Sequence, residues 1–447
     1  LENLMMSELD LQLEKIQDFL YALRNAGSKY SLERIEKFCA KLGNPQNDFP
    51  KIHIAGTNGK GSVCAMLESI LRATGLKVGM FTSPHLTYLG ERIQINRKPI
   101  EKLRLAELSL ELKKCADSIF SKNNIECYPS FFEFMTAMAF LDFSRNKVDC
   151  AVVEVGLGGR LDSTNIITPD LSVITSIGFD HIQMLGATLT EIAREKAGII
   201  KAGVPVVCGF LPDEAMAEIE KIARQKNAPL YKVSDYFPTD DSLPTTSLFG
   251  YYQKRNGAVA LLCAKVLREL AEKNKVSSIY LNLKDEIAKK SLMHVEWSAR
   301  WQTIKLANGA RLIVDASHND EGAKNLESNL AELSNEGVRP IITVGVLGED
   351  RAVPLLKVIS KYAKKIILLQ PNQPRALPVD ELRKCLGDCA VEVETGKVAD
   401  IYKKGYVCTC AEPSDTVIST GSIYLAGEVL ASIDGNDADN LQDIPYK

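Results

Sequence analysis

Short unbroken apolar runs recur along the chain, and between them the apolar positions fall three and four residues apart. The runs 51–55, 77–82, 150–155, 171–177, 204–209, 311–316, 341–347, 365–370 and 416–420 predict strands. Several are continuous Val/Ile stretches, the pattern of parallel strands covered on both faces. Helical spacing over 60–74, 100–121, 188–201, 255–273 and 320–334 places helices between them. This alternation predicts an α/β fold with right-handed crossovers. Residues 234–250, rich in Ser, Thr, Asp and Pro, read as an exposed connection. The alternation restarts after 294–298, which predicts a division into 1–295 and 296–447. Phe131 to Leu141 is apolar nearly all round and reads as a buried helix; its one carboxylate, Glu133, either bonds backbone or belongs to a site.

Residues 55–62 read Ala-Gly-Thr-Asn-Gly-Lys-Gly-Ser, between a predicted strand and a predicted helix. Gly56, Gly59 and Gly61 allow a tight turn and close approach of backbone to a polyphosphate. Thr57 and Asn58 complete the loop, Lys60 supplies a positive charge, and Ser62 can place its hydroxyl on Mg²⁺. The following helix adds its N-terminal N–H groups. This reads as a phosphate-binding loop for a polyphosphate with Mg²⁺, one or two residues tighter than the common spacing; the alternative is a glycine-rich turn that binds nothing.

Four further patterns carry chemistry. Glu154 ends an apolar strand before Gly156-Leu-Gly-Gly-Arg160; a buried carboxylate there needs a cation, Mg²⁺ in the functional reading or Arg160 as a turn brace in the other. His181 follows a second strand and could ligate a metal as neutral imidazole. Lys196 falls on the apolar stripe of a helix opened by the capping box Thr188-x-x-Glu191. It either snorkels or pairs with Glu195, or it is a functional amine whose charge burial suppresses and which carbon dioxide can convert to a carbamate. Asp315-Ala-Ser-His-Asn319 and Gly421-Ser422 end strands where ligands bind in α/β sheets, although Ser317, Asn319 or Ser422 could serve as helix caps. Asn146-Lys-Val-Asp149 matches a guanine-reading motif but precedes its strand instead of following it, so it is rejected.

Composition narrows the class. The 447 residues are 45% hydrophobic and 25% charged, as in ordinary globular proteins, with a net charge of −3. That balance offers no basic footprint for nucleic acid or a membrane surface. No apolar run is long enough to span a bilayer, and Leu1 to Met6 lacks a signal-peptide pattern. The 11 scattered cysteines fit neither zinc nor redox spacing and read as reduced thiols in a cytoplasmic protein.

In this order the motifs resemble the folylpolyglutamate synthase and dihydrofolate synthase family, relatives of the Mur ligases, from Ile54 to Leu430. The most specific pieces are Gly56 to Ser62, Phe81-Thr-Ser-Pro-His-Leu86 with Glu91-Arg92-Ile93, Glu154 to Asn165, and Asp180-His181 followed by Glu195 to Lys201. The resemblance implies an ATP-dependent amide ligase: a P-loop ATPase domain with a mainly parallel sheet, a smaller Rossmann-like C-terminal α/β domain, and the site between them. It implies that Lys60 and the loop bind ATP phosphates, that Ser62 and Glu154 hold one Mg²⁺, and that Ser83, Glu154 and His181 hold a second. Lys196 matches a position carbamylated in relatives. Asn256, Arg300 and Asp315 fall at nucleotide positions, and His318 and Ser422 at positions for the incoming L-glutamate. Thr82 to Arg92 matches a mobile loop beside the pterin, and Phe132, Asp162 and Ser163 match positions contacting dihydropteroate. The implied partners are small molecules, folate or dihydropteroate and glutamate, on a monomer. Tyr252-Gln253 stands where relatives carry His-Gln, Ser298-Ala299-Arg300 where they carry Pro-Gly-Arg, with a differing turn expected, and Asp320 where they carry Pro. Another Mur-type ligase, or a P-loop switch that gates a partner, are the competing readings.

Overall fold

A computed structural model describes residues 16, 18–20, 22–23, 31–120, 128–436 and 438. The chain's N-terminal residues read above for a signal, and residue 121 of the predicted 100–121 helix, lie outside the described residues.

The first sheet has eight strands: β1 (Lys51–Ala55), β2 (Val78–Phe81), β3 (Ile93–Ile95), β4 (Lys98–Pro99), β5 (Cys150–Glu154), β6 (Leu171–Ile174), β7 (Val206–Cys208) and β8 (Leu230–Lys232). Their spatial order is β4-β3-β2-β5-β1-β6-β7-β8. The six from β2 to β8 run parallel, and β3 and β4 form an antiparallel edge. β1 and β5 are buried along their whole length, as their unbroken apolar runs predict. The helices Lys60–Arg72 and Tyr251–Glu272 cover one face of the sheet, and Lys102–Ile119 and Phe131–Arg145 cover the other.

The second sheet has six strands: β9 (Gln302–Lys305), β10 (Arg311–Val314), β11 (Ile341–Val344), β12 (Lys365–Leu368), β13 (Glu392–Thr395) and, after a small hairpin of β14 (Tyr402–Lys403) and β15 (Val407–Cys408), β16 (Thr416–Thr420). Their order is β13-β12-β11-β16-β10-β9, parallel except for β9.

All nine predicted strand runs contain a strand. The strands not read from the sequence, β3, β4, β8, β9, β13, β14 and β15, are short. β9 and β13 are half-exposed edges that never build an apolar run. Residues 234–250 are mostly exposed, with short helical turns at Val233–Tyr236 and Asp240–Ser242. Arg145 ends a helix and Cys150 opens β5, so Asn146 to Asp149 lies ahead of its strand.

In the first sheet the chain steps from β1 to one side for β2 and β5 and to the other for β6. In the second, β16 inserts between β10 and β11. Both are switch points, where strand C-termini leave a crevice for ligands.

Candidate active site

The turn after β1 is fixed from below by the segment after β6. The Thr57 N–H donates to the Ser176 carbonyl at 2.9 Å, and the Asn58 N–H to Ser176 Oγ at 2.9 Å. Thr175 Oγ1 donates to the Asn58 carbonyl at 2.7 Å, and the Gly178 N–H to Thr57 Oγ1 at 3.0 Å. Two glycines here lie tight against neighbours. Gly59 has φ of 81°, and a Cβ on it would lie 2.5 Å from Asn256 Oδ1. A Cβ on Gly61 would lie 3.0 Å from the Trp297 ring. Lys60 then opens the helix Lys60–Arg72, its Nζ donating to the Thr57 carbonyl at 3.3 Å. Ser62 Oγ accepts from Gln253 Nε2 at 3.2 Å, and Gln253 in turn accepts from Asn256 Nδ2 at 3.0 Å.

Glu154 closes β5 beside Ile54, with 4% of its surface exposed. One carboxylate oxygen accepts from the Ser83 N–H at 3.1 Å. Burial raises its pKa, against the opposing pull of Lys60, Arg300 and Arg92. Arg160 does not brace it: that guanidinium pairs with Glu195 at 3.0 Å. Lys196 neither snorkels nor pairs with Glu195. Its amine is 4% exposed and donates to the Gly56 carbonyl at 2.8 Å. Burial first, then the charge of Lys60, lowers it to about 7. Burial lowers the His181 imidazole and so favours its neutral form, against the opposing pull of Asp180.

On the other side of the crevice, several side chains are held by their own backbone. Asp315 accepts from the Trp301 N–H at 3.0 Å and the Ser317 N–H at 3.1 Å. Asn319 caps the helix Asp320–Asn335 through the Gly322 N–H at 2.9 Å, and Ser422 caps Ile423–Asp434 through the Leu425 N–H at 3.0 Å. His318 Nδ1 lies 2.8 Å from the Ala316 carbonyl, and burial lowers its imidazole to about 4. Other contacts cross between the halves. Asn319 Nδ2 donates to Asn58 Oδ1 at 3.0 Å, Asn58 Nδ2 donates to Glu321, and Arg351 pairs with Asp180 at 3.0 Å. Burial alone would raise the Asp180 carboxyl; His181, His318 and Arg351 outweigh it and hold it at about 2.

These elements enclose a cavity of about 720 Å³. Its wall contains the loop 56–62, Ser83, Phe132, Glu154, Asp162, His181, Lys196, Arg300, His318 and Ser422. Ser163 lines an adjoining pocket of about 180 Å³ together with Phe132 and Asp162. Asn256 and Asp315 do not line the larger cavity: the first backs the phosphate loop and the second braces the turn after β10. Asp162 spends its oxygens on its own loop, accepting from the N–H groups of Leu157 at 2.9 Å and Thr164 at 3.0 Å. Glu133 does both: it accepts from the Ser130 N–H at 2.7 Å in a capping box and pairs with Arg34, and it lines the smaller pocket. Ala299 has φ of 57°, the left-handed region glycine favours, so the expected difference in that turn is not forced by the lost glycine.

The sequence reading missed Thr175, Ser176, Gln253 and Arg351. The polar end of β6 was the one local signal for the first two. Arg351 meets Asp180 from 171 residues away, a pairing no local pattern announces.

Comparison with known proteins bears on this geometry. Residues 54–241 match the Mur ligase middle domain, and residues 299–423 the Mur ligase glutamate ligase domain. The folylpolyglutamate synthase of Lacticaseibacillus casei is 32% identical over 424 residues, covering 90% of this chain and 94% of that protein. The chain belongs to the folylpolyglutamate synthase and dihydrofolate synthase family. The dihydrofolate synthase/folylpolyglutamate synthase of Bacillus subtilis is likewise 32% identical, over 428 residues, covering 90% of this chain and 95% of that one. The Mycobacterium tuberculosis folylpolyglutamate synthase, solved with ADP and AMPPCP, superposes with a TM-score of 0.79 at 27% identity, covering 96% of this chain and 100% of that one. As a member of this family the protein is an ATP-dependent ligase with an α/β core and a second α/β unit. Among the described residues no helix is long and apolar enough to cross a membrane.

Proposed function

We propose that the protein joins L-glutamate to the carboxylate of a folate, and to dihydropteroate, through an acyl phosphate. The observation that carries this reading is the meeting, in one cavity, of a phosphate loop from the first sheet with strand-end residues of the second. In this reading the units are 1–295, which takes ATP, and 296–447, which brings glutamate.

A carboxylate repels an incoming amine and has no leaving group. Transfer of the terminal phosphoryl group of ATP to a carboxylate oxygen forms a C–O–P bond, releases ADP and remedies both defects. The glutamate nitrogen then attacks the acyl carbon, phosphate leaves, and the nitrogen loses its proton as the amide forms. Lys60 and the N–H groups of 56–62 offset phosphate charge, and positioning supplies most of the remainder. Asn256 holds the loop's shape, and Arg300, lining the wall, meets the nucleotide with Asp315 bracing its segment. His318 and Ser422 face the amino acid, and Phe132, Asp162 and Ser163 shape the acceptor pocket beside the loop Thr82 to Arg92.

The residues fit Mg²⁺. Among the described residues no cluster of three His, Cys, Asp or Glu side chains could hold a metal by itself. One buried carboxylate with nearby hydroxyls suits instead a hard ion that takes its other ligands from phosphate and water. Ser62 with Glu154 would hold one such ion and Ser83 with Glu154 and His181 a second, and they would supply charge neutralisation. Lys196, an amine lowered to about 7, is poised to exist neutral and to accept carbon dioxide as a carbamate. We place the enzyme in the cytoplasm as a monomer; the ten described cysteines, all free, suit that compartment.

The test is ATP-dependent phosphate release with L-glutamate, comparing dihydropteroate with tetrahydrofolate as acceptor. Release that requires glutamate and either acceptor supports the ligase. Release indifferent to both overturns it in favour of a switch.

A further inference from the structure

Arg300 reaches the cavity from an unusual stretch of backbone. The residues on either side of it, Ala299 and Trp301, have φ of 57° and 54°. This left-handed region disfavours any residue with a Cβ, and two such residues persist only where their surroundings over-determine them. The surroundings here are the chain's only two tryptophans. Trp301 ties the segment to the second sheet through its backbone N–H, which donates to Asp315 at 3.0 Å, while its ring stacks on Phe249 of the first half with centroids 5.6 Å apart. Trp297 ties the same segment to the first. Its ring lies against Gly61 so closely that a Cβ there would sit 3.0 Å away, and the Arg97 guanidinium lies 5.1 Å from the ring centroid. Arg97 also donates to the Glu296 carbonyl. Between these anchors the backbone of Ala299 is tied down, its carbonyl accepting from the Ala316 N–H at 3.0 Å and its N–H donating to Gln302 at 3.0 Å.

We infer that Trp297 is a positioning residue for Arg300, wedging the segment between the two halves against the phosphate loop so that the guanidinium is aimed at the bound nucleotide. The inference rests on the reading of the cavity as a nucleotide site. Arg300 is useful only if its planar fork is correctly oriented. The bonds at Ala299 and Trp301 keep the local backbone shape, and the Trp297 ring sets how that segment sits against the loop, so its loss lets the segment shift and carries the fork away. Because Trp297 sits on Gly61, the loop that holds the phosphates and the arginine that meets them are registered by one ring. If Trp297 served only as packing for the helices beneath it, its loss would act independently of Arg300.

The test is a double-mutant cycle on the full-length protein, read as ADP affinity by calorimetry, with Trp297→Ala, Trp297→Phe, Arg300→Ala and the double variant Trp297→Ala/Arg300→Ala. Trp297→Ala is expected to weaken ADP binding about tenfold, and its further cost in the Arg300→Ala background to fall below about twofold. Trp297→Phe, which keeps a flat ring on Gly61, restores most of the affinity. If Trp297→Ala fails to fold, Trp297→Leu takes its place in the cycle, with bulk but no flat face. Additive losses, or an unchanged affinity on removal of Trp297, overturn the inference and leave the proposed function standing. A wild-type protein that binds no ADP overturns the proposed function itself.

Discussion

The two halves of the cavity use the same architectural position, the C-terminal ends of parallel strands, in opposite ways. In the first half the functional groups are buried without full compensation. Glu154 has its carboxyl raised and Lys196 its amine lowered, each chiefly by desolvation. In the second half Asp315 is satisfied at home by two backbone N–H groups and Ser422 by the helix it caps; His318, its imidazole lowered chiefly by burial, is the exception. Uncompensated burial of charge costs folding free energy and persists where a ligand completes the site. Local hydrogen bonds offset the cost of burial and fix geometry. Under the proposed function this contrast suits the first side to chemistry on phosphate and the second to presentation of the other substrate.

The largest test of this contrast lies on the uncompensated side. Lys60→Ala and Glu154→Ala are each expected to lower ATP-dependent phosphate release by about 10²–10³ while leaving the thermal midpoint near that of the wild type. Near-normal turnover in both would dissolve the distinction. Next comes Lys196→Ala, expected to lose activity that short-chain carboxylates partly restore; full activity without additive would reduce the lysine to packing.

Lys196 also makes a stability prediction. Its folded pKa of about 7 lies below the ordinary lysine value of 10.5, so the unfolded chain binds more protons between those limits. The cost of burying it is full below pH 7 and fades as pH rises toward 10.5. In buffer free of carbon dioxide, wild-type stability relative to Lys196→Met should therefore climb between pH 7.5 and 9.5, by up to about 1.4 kcal/mol per pH unit. Parallel curves for the two proteins in urea titrations would argue that the amine is solvated.

The smallest effect is expected on the self-satisfied side. Ser422→Ala should cost about 1 kcal/mol through loss of the helix cap, and Ser422→Asn should return most of it. If Asn restores stability but the KM for glutamate stays raised, the hydroxyl has a second task beyond the cap. Recovery of both would leave it a cap alone.

Much of this was legible in order along the chain. β1 and the turn after it are written by an apolar run followed by three glycines and a lysine, because a buried parallel strand and a backbone close to phosphate each demand particular residue types locally. Glu154 and Lys196 were legible as anomalies, charges where the pattern called for apolar side chains. The edge strands β9 and β13 were not, since a short half-exposed strand leaves no periodic trace.

Residue types and their spacing alone determined the α/β class, the phosphate loop, and the two misplaced charges that need a ligand, because each follows from interactions within one strand or one helical turn. Tertiary structure decided what those charges face. Arg160 goes to Glu195 and leaves Glu154 to the cavity, Lys196 turns to Gly56, and Arg351 crosses to Asp180. Pairing between charges is set by distance in space, and distance in space is fixed only when the two sheets and the segment carrying Trp297 have packed.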